Sequence, residues 1–272
     1  MNPTRAYAGG RAEAQFEQTL NVTGPVTLDV STKCGSIRIR RGADGCVAIR
    51  GFLRAHPSLF SWSHPEEQVQ RLAANPPVRQ DGNSIQIGDV ADRWLLRRVT
   101  FLVDVTVPVE TRVRAFGDSA GIGVEAIDGP VDCETDSGEI QIAQVHSQVS
   151  AWSDSGAIYI RQAVGSIDAR TDSGKIEALE IGGDIDVHTD SGAIRISQTA
   201  AAPVYARSDS GRISVKLAES GGYTLGVRTD CGRIEIPVME RARSSGHEME
   251  GSIRGGGPAV YLETDSGDIE VI

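Results

Sequence analysis

The chain has 272 residues and a formal net charge of −10, with 39% apolar but only 5% aromatic residues. That acidity disfavours nucleic acid and anionic membrane surfaces as partners, and a thin aliphatic interior with abundant glycine suits a β-rich protein that turns often. No apolar run reaches the length of a membrane span and residues 1–15 lack the hydrophobic core of a signal peptide, so the sequence points to the cytoplasm if the chain is complete and to the cell envelope or exterior if a signal has been trimmed.

In chain order, the small polar residues 1–15 read as a loose tail. Phe16, Leu20 and Val22, then Val26, Leu28 and Val30 beyond the Gly24-Pro25 turn, alternate as strands do. Cys34-Gly35-Ser36-Ile37-Arg38-Ile39 and Val47-Ala48-Ile49 continue in the same style. Ser63-His64-Pro65-Glu66 has the form of a capping box, which predicts a short helix at about 65–74, stopped before Pro76-Pro77. Strands resume at Ile85 and Ile87, and again from Val99 to Val107. Residues 16–115 thus form an irregular N-terminal β segment that caps the regular array C-terminal to it.

Residues 116–272 repeat. Asp118, Asp136, Asp154, Asp172 and Asp190 recur every eighteen residues, and Asp209, Asp230 and Asp265 extend the series at longer intervals. Apolar pairs come after each Asp (Ile140/Ile142, Ile158/Ile160, Ile194/Ile196), and the residues before it alternate as well, so each unit is two short strands. Eighteen residues leave no room for a helical crossover, and a repeat this short completes its core only by stacking. The expected fold is therefore all-β, a parallel β-solenoid with two strands per turn, forming one continuous domain. The structural turn is assigned to Asp136, Gly138, Asp154, Gly156, Asp172, Gly174, Asp190, Gly192, Asp209 and Gly211, with Gly supplying a positive φ and Asp accepting bonds from its own turn amides. The long interval at about 238–258 reads as a mobile surface excursion.

Four functional classes compete. A calcium site along the Asp column is one, although only Gly182-Gly183-Asp184 approaches the glycine-rich calcium-roll pattern. A polysaccharide-active enzyme is another, yet catalytic carboxylates normally interrupt a repeat, and no catalytic motif is present. Binding is the third: Trp152, Tyr159, Arg161 and Tyr205 fall at outward positions, where aromatic rings can stack on a glycan or anchor a protein. The fourth is end-to-end self-association through the last strand, residues 268–272. Four Cys without a CxxC or Cys/His cluster argue against zinc and read as free thiols. The reading adopted is a non-enzymatic scaffold or binding protein with no catalytic, cofactor or metal residues and an unknown protein or glycan partner.

Gly35-Ser36-Ile37-Arg38-Ile39, the strand Val103-Asp104-Val105-Thr106-Val107-Pro108, the reiterated Asp-Ser-Gly-x-Ile, and the ending Gly255-Gly256-Gly257-Pro258 with Ser266-Gly267-Asp268-Ile269 resemble the bacterial putative-adhesin, β-strand-repeat family of unknown function. The resemblance covers nearly all of the chain from about residue 16. It implies a β-solenoid, often exported or membrane-tethered, with no catalytic residues to carry over.

Overall fold

The computed structural model describes residues 12–55, 65–88, 99–236 and 239–272. The capping-box residues Ser63 and His64 lie outside these. The chain opens with β1 (Glu13–Asn21), β2 (Val26–Arg41) and β3 (Cys46–Ala55), followed by the helix α1 (Pro65–Ala74). Next come the hairpin β4 (Val78–Asp81) and β5 (Ser84–Ile87), then β6 (Val99–Val107). Residues 13–15, expected to be loose, instead open β1, because Glu13 pairs in register with Arg54 and their side chains meet at 2.7 Å. Proline opens α1, where its missing N–H costs nothing. Val69 and Leu72 then bury one face of the helix, which packs on β1 and β3.

The solenoid starts with β2 and β7 (Thr111–Ile127), two long strands that run through the corner and pair in parallel along both arms. Five coils come next: β8 (Val131–Thr135) with β9 (Ile140–Val145), β10 (Val149–Ser153) with β11 (Ile158–Ala163), β12 (Ile167–Thr171) with β13 (Ile176–Ile181), β14 (Ile185–Thr189) with β15 (Ile194–Gln198), and β16 (Val204–Ser208) with β17 (Ile213–Lys216). Each strand is parallel to its equivalent one coil earlier, and the isoleucines lie in columns: Ile140, Ile158, Ile176, Ile194 and Ile213 are direct neighbours in register. The arms form two sheets. The even-numbered strands from β8 to β16 make the first, and the odd-numbered strands from β9 to β17 make the second. Between them lies a core of Ile, Val, Leu and Ala with scarcely an aromatic ring in the repeats.

One expectation for the C-terminal part is corrected. After β17 the chain does not add the next coil. It builds β18 (Tyr223–Thr229) and β19 (Ile234–Glu235) one coil further out, makes a hairpin of β20 (Glu240–Ser245) and β21 (Glu248–Ile253), and returns through β22 (Ala259–Thr264) and β23 (Ile269–Val271). β22 pairs in parallel with β16 on one side and β18 on the other, while β23 lies between β17 and β19. β23 is therefore an interior strand with both edges paired, which closes the expected route to end-to-end association. The stretch expected to leave the solenoid at about 238–258 contains the β20–β21 hairpin, with β21 running antiparallel along β18.

Candidate ligand-binding faces

The Asp-Ser-Gly corner sets which side chains face outward, and its chemistry differs from the expectation. None of Gly138, Gly156, Gly174, Gly192 or Gly211 has a positive φ. Glycine is needed there because the corners stack closely. A Cβ on Gly174 would stand 2.6 Å from the carbonyl carbon of Gly156 and nearer still to its oxygen, and Gly192 meets Gly174 in the same way. The turn amide is held not by Asp but by the buried hydroxyl just before it. Thr171 Oγ1 accepts from the Gly174 amide at 3.1 Å and donates to the Gly156 carbonyl, one coil away, at 3.0 Å. Thr189 repeats this with Gly192 and Gly174, both at 3.0 Å. Buried Ser and Thr thus form a ladder along the inside of the corner and satisfy groups that would otherwise be orphaned. In the coils from β7 to β13 the left-handed residues lie at the opposite corner and are not glycine: Ala126, Gln144, Gln162 and Glu180 have φ of 61°, 56°, 55° and 60°. Each makes two consecutive outward positions, so that the next residue (Ile127, Val145, Ala163 or Ile181) points inward again.

Freed from the turn, several corner carboxylates pair sideways. Asp118 meets Lys33 at 2.7 Å, Asp190 meets His188 at 3.2 Å and Asp230 meets Arg228 at 3.3 Å. The Arg170–Asp168 pair, at 3.0 Å, is an i, i+2 contact along one strand. Its carboxylate holds the Arg170 guanidinium above its ordinary pKa through a hydrogen bond and charge. Among the described residues no group of three His, Cys, Asp or Glu side chains could hold a metal ion. All four cysteines are free thiols, and burial pushes the Cys133 thiol far up.

The four outward residues singled out in the sequence fall on two different sheets. Tyr159 and Arg161 belong to β11 on the second sheet, where they form one wall of an open groove of about 650 Å³. Its other wall is Arg38 and Arg40 on β2, and its floor is Gly123, Glu125, Gln141 and Ala143 on β7 and β9. Register fixes this shape: Arg38, Gly123, Gln141 and Tyr159 lie in one cross-strand row, and Arg40, Glu125, Ala143 and Arg161 in the next. Three strand spacings separate the walls, roughly 14 Å. Gly123 and Ala143 keep the floor low at two of its four positions, and Glu125 and Gln141 carry exposed side chains at the other two. The Arg38 and Arg40 side chains are exposed and make no ion pair or hydrogen bond with any described residue, whereas Arg161 reaches Glu177 only loosely, at 3.9 Å. Lys175 sits 4.8 Å from the centre of the Tyr159 ring and 3.1 Å from Glu177, and hydrogen bonds to Tyr159 and Glu177 hold its ammonium above its usual pKa.

Trp152 and Tyr205 are on the first sheet, on β10 and β16, 38% and 43% exposed. They do not form one patch. Trp152 lies in the row of Glu134 and Arg170, and Tyr205 lies in the neighbouring row of Asp168 and Asp186. The partner of Tyr205 is Tyr261 of β22, in direct register with it and 59% exposed. Sequence reasoning missed Arg38, Arg40 and Tyr261, since the first two precede the strict repeat and the third joins its row only through the out-of-order coil.

No helix among the described residues is long and apolar enough to cross a membrane. Comparison with curated protein sequences finds no match. The chain is similar in structure to a putative adhesin from Bacteroides fragilis, at 13% identity over 95% of this chain and 97% of that one, with a TM-score of 0.49. It is also similar to a putative cell adhesion protein from Clostridium sporogenes (11% identity, 94% and 98% covered, TM-score 0.28) and a putative adhesin from Parabacteroides distasonis (12% identity, 95% and 97% covered, TM-score 0.31). The Toastrack DUF4097 family model matches residues 113–272, well over half of the sequence, and the chain belongs to that family.

Proposed function

We propose that this protein is a non-enzymatic, adhesin-like binding scaffold, and that its ligand is an anionic saccharide held in the groove between β2 and β11. The observation that carries this reading is the pair of exposed guanidinium groups, Arg38 and Arg40, which form no ion pair with any described residue and stand across the floor of Gly123, Glu125, Gln141 and Ala143 from Tyr159 and Arg161. Guanidinium is suited to bidentate pairing with a carboxylate or sulfate, and the tyrosine ring offers an apolar face to a sugar. Gln141, Glu125 and Glu139 around the same groove supply acceptors for the hydroxyls that a saccharide carries and a simple anion lacks. Placement at the cell envelope belongs to the proposal, and surface labelling of intact cells checks it.

A glycan array with carboxylated, sulfated and neutral oligosaccharides tests the reading. The native protein is expected to retain anionic glycans in a salt-sensitive manner. Arg38→Ala with Arg40→Ala should weaken this about tenfold or more, as losing a charge-assisted contact does. Equal retention of neutral and anionic glycans, or a double variant that binds as the native does, would refute the groove assignment.

A further inference from the structure

The first sheet carries a second surface of different chemistry. Asp168, Asp186, Tyr205, Tyr261 and Gly226 succeed one another in a single cross-strand row over β12, β14, β16, β22 and β18. The two tyrosines are 56 positions apart in sequence and become neighbours because β22 is inserted against β16. Gly226 is what lets the second ring lie down. A Cβ there would stand 2.7 Å from a Tyr261 ring carbon, so the ring occupies the space over the β18 backbone that any other residue would fill. The result is a shelf of two exposed rings beside an open cavity of about 390 Å³, whose rim includes Asp168, Asp184, Asp186, Pro203 and Ala259. Arg170 takes up Asp168 and also feels the charge of Asp186, while the side chains of Asp184 and Asp186 make no hydrogen bond or close ion pair with any described residue.

We propose that this shelf is a second binding site, for a neutral saccharide. The rings offer a flat apolar surface on which the C–H face of a pyranose can stack. The carboxylates only accept hydrogen bonds, so they require O–H or N–H donors, which sugar hydroxyls supply. With Asp168 held by Arg170, Asp184 and Asp186 still leave the rim net negative, which disfavours an anionic sugar, whereas the two carboxylates of the groove are outnumbered by its three arginines. The two proposals rest on different sheets and share no residue, so either can fail without the other.

Ligand-observed NMR titration with maltotriose, cellotriose and chitotriose, alongside an oligolysine peptide, decides the matter. Tyr261→Ala removes the outer ring at an exposed position, and Asp186→Asn removes one acceptor charge while leaving the stack intact. The expected result is millimolar binding of at least one trisaccharide, little affected by salt and weakened about tenfold by Tyr261→Ala. Circular dichroism melts of the variant, matching the native, would show that the loss is local. The assignment is overturned if no trisaccharide binds at millimolar concentration, if Tyr261→Ala binds as the native does, or if only oligolysine binds in a salt-sensitive manner that Asp186→Asn weakens.

Discussion

At the scale of single residues, the corner combines two demands that a folding assay can separate. Gly174 is required by the approach of the Gly156 carbonyl and not by a left-handed backbone. Asn tolerates positive φ better than Ala, so a left-handed site would distinguish Gly174→Asn from Gly174→Ala. The close stacking here predicts that both are destabilised alike, by about 3 kcal/mol or more, since any Cβ must push two backbones apart. Chemical denaturation of the two variants side by side reads the difference, and an Asn variant of near-native stability would contradict it. The hydroxyl beneath the corner makes a companion case. Thr171→Val keeps the shape but strands the Gly174 amide and the Gly156 carbonyl, which should cost about 1–3 kcal/mol. Thr171→Ser retains the hydroxyl and should cost far less, since Ser153 at the equivalent place accepts from the Gly156 amide at 2.8 Å and donates to the Gly138 carbonyl at 3.4 Å.

At the scale of elements, the inserted coil of β22 and β23 is clamped from both sides by one carboxylate. Asp268 accepts a hydrogen bond from the Arg233 backbone amide at 3.0 Å and one from the Arg212 guanidinium at 3.1 Å, and these hold its pKa below the ordinary carboxylate value. A carboxylate with a depressed pKa stabilises the fold above its unfolded pKa, and that contribution disappears as pH falls through the lowered native value. The stability gap between native protein and Asp268→Asn should thus be widest near neutrality and close in acid, below the usual carboxylate range. A gap that stayed constant with pH would deny the clamp. Insertion has a kinetic signature too. Ile269 and Val271 are fully or almost fully buried, and their strand is paired along both edges. Their amides should exchange with solvent as slowly as those of Ile194 and Ile213, unlike the fast exchange of a strand that frays at a sheet edge. Hydrogen exchange followed by mass spectrometry measures it directly.

At the scale of the whole molecule, the solenoid was legible because its cause is local. Period-two alternation around a recurrent glycine corner prescribes two strands per coil, and nothing in columns of Ile and Val competes with that reading. The order of the last coils was not legible, for an equally physical reason. Leu225, Val227 and Thr229 of β18 and Val260, Leu262 and Thr264 of β22 present the same inward pattern, so either strand satisfies the face of β16 and the alternation is silent on which one does. The same limit applies to the sites. Tyr159 and Arg161 could be seen as outward, but their opposite wall and the neighbour of Tyr205 depend on stacking order. That architecture also bears on how the two proposed sites act together. The groove lies on the second sheet near the N-terminal coils and the tyrosine shelf on the first sheet near the C-terminal ones, with the aliphatic core between them. Sites without shared side chains contribute additively unless a two-state element links them. Saturating the groove with an anionic oligosaccharide should therefore leave the trisaccharide affinity of the shelf unchanged within about twofold. The protein would then bridge an anionic and a neutral glycan at once. Titration of one ligand in the presence and absence of the other checks this, and a larger change in either direction would mean that the coils between them move as a coupled unit.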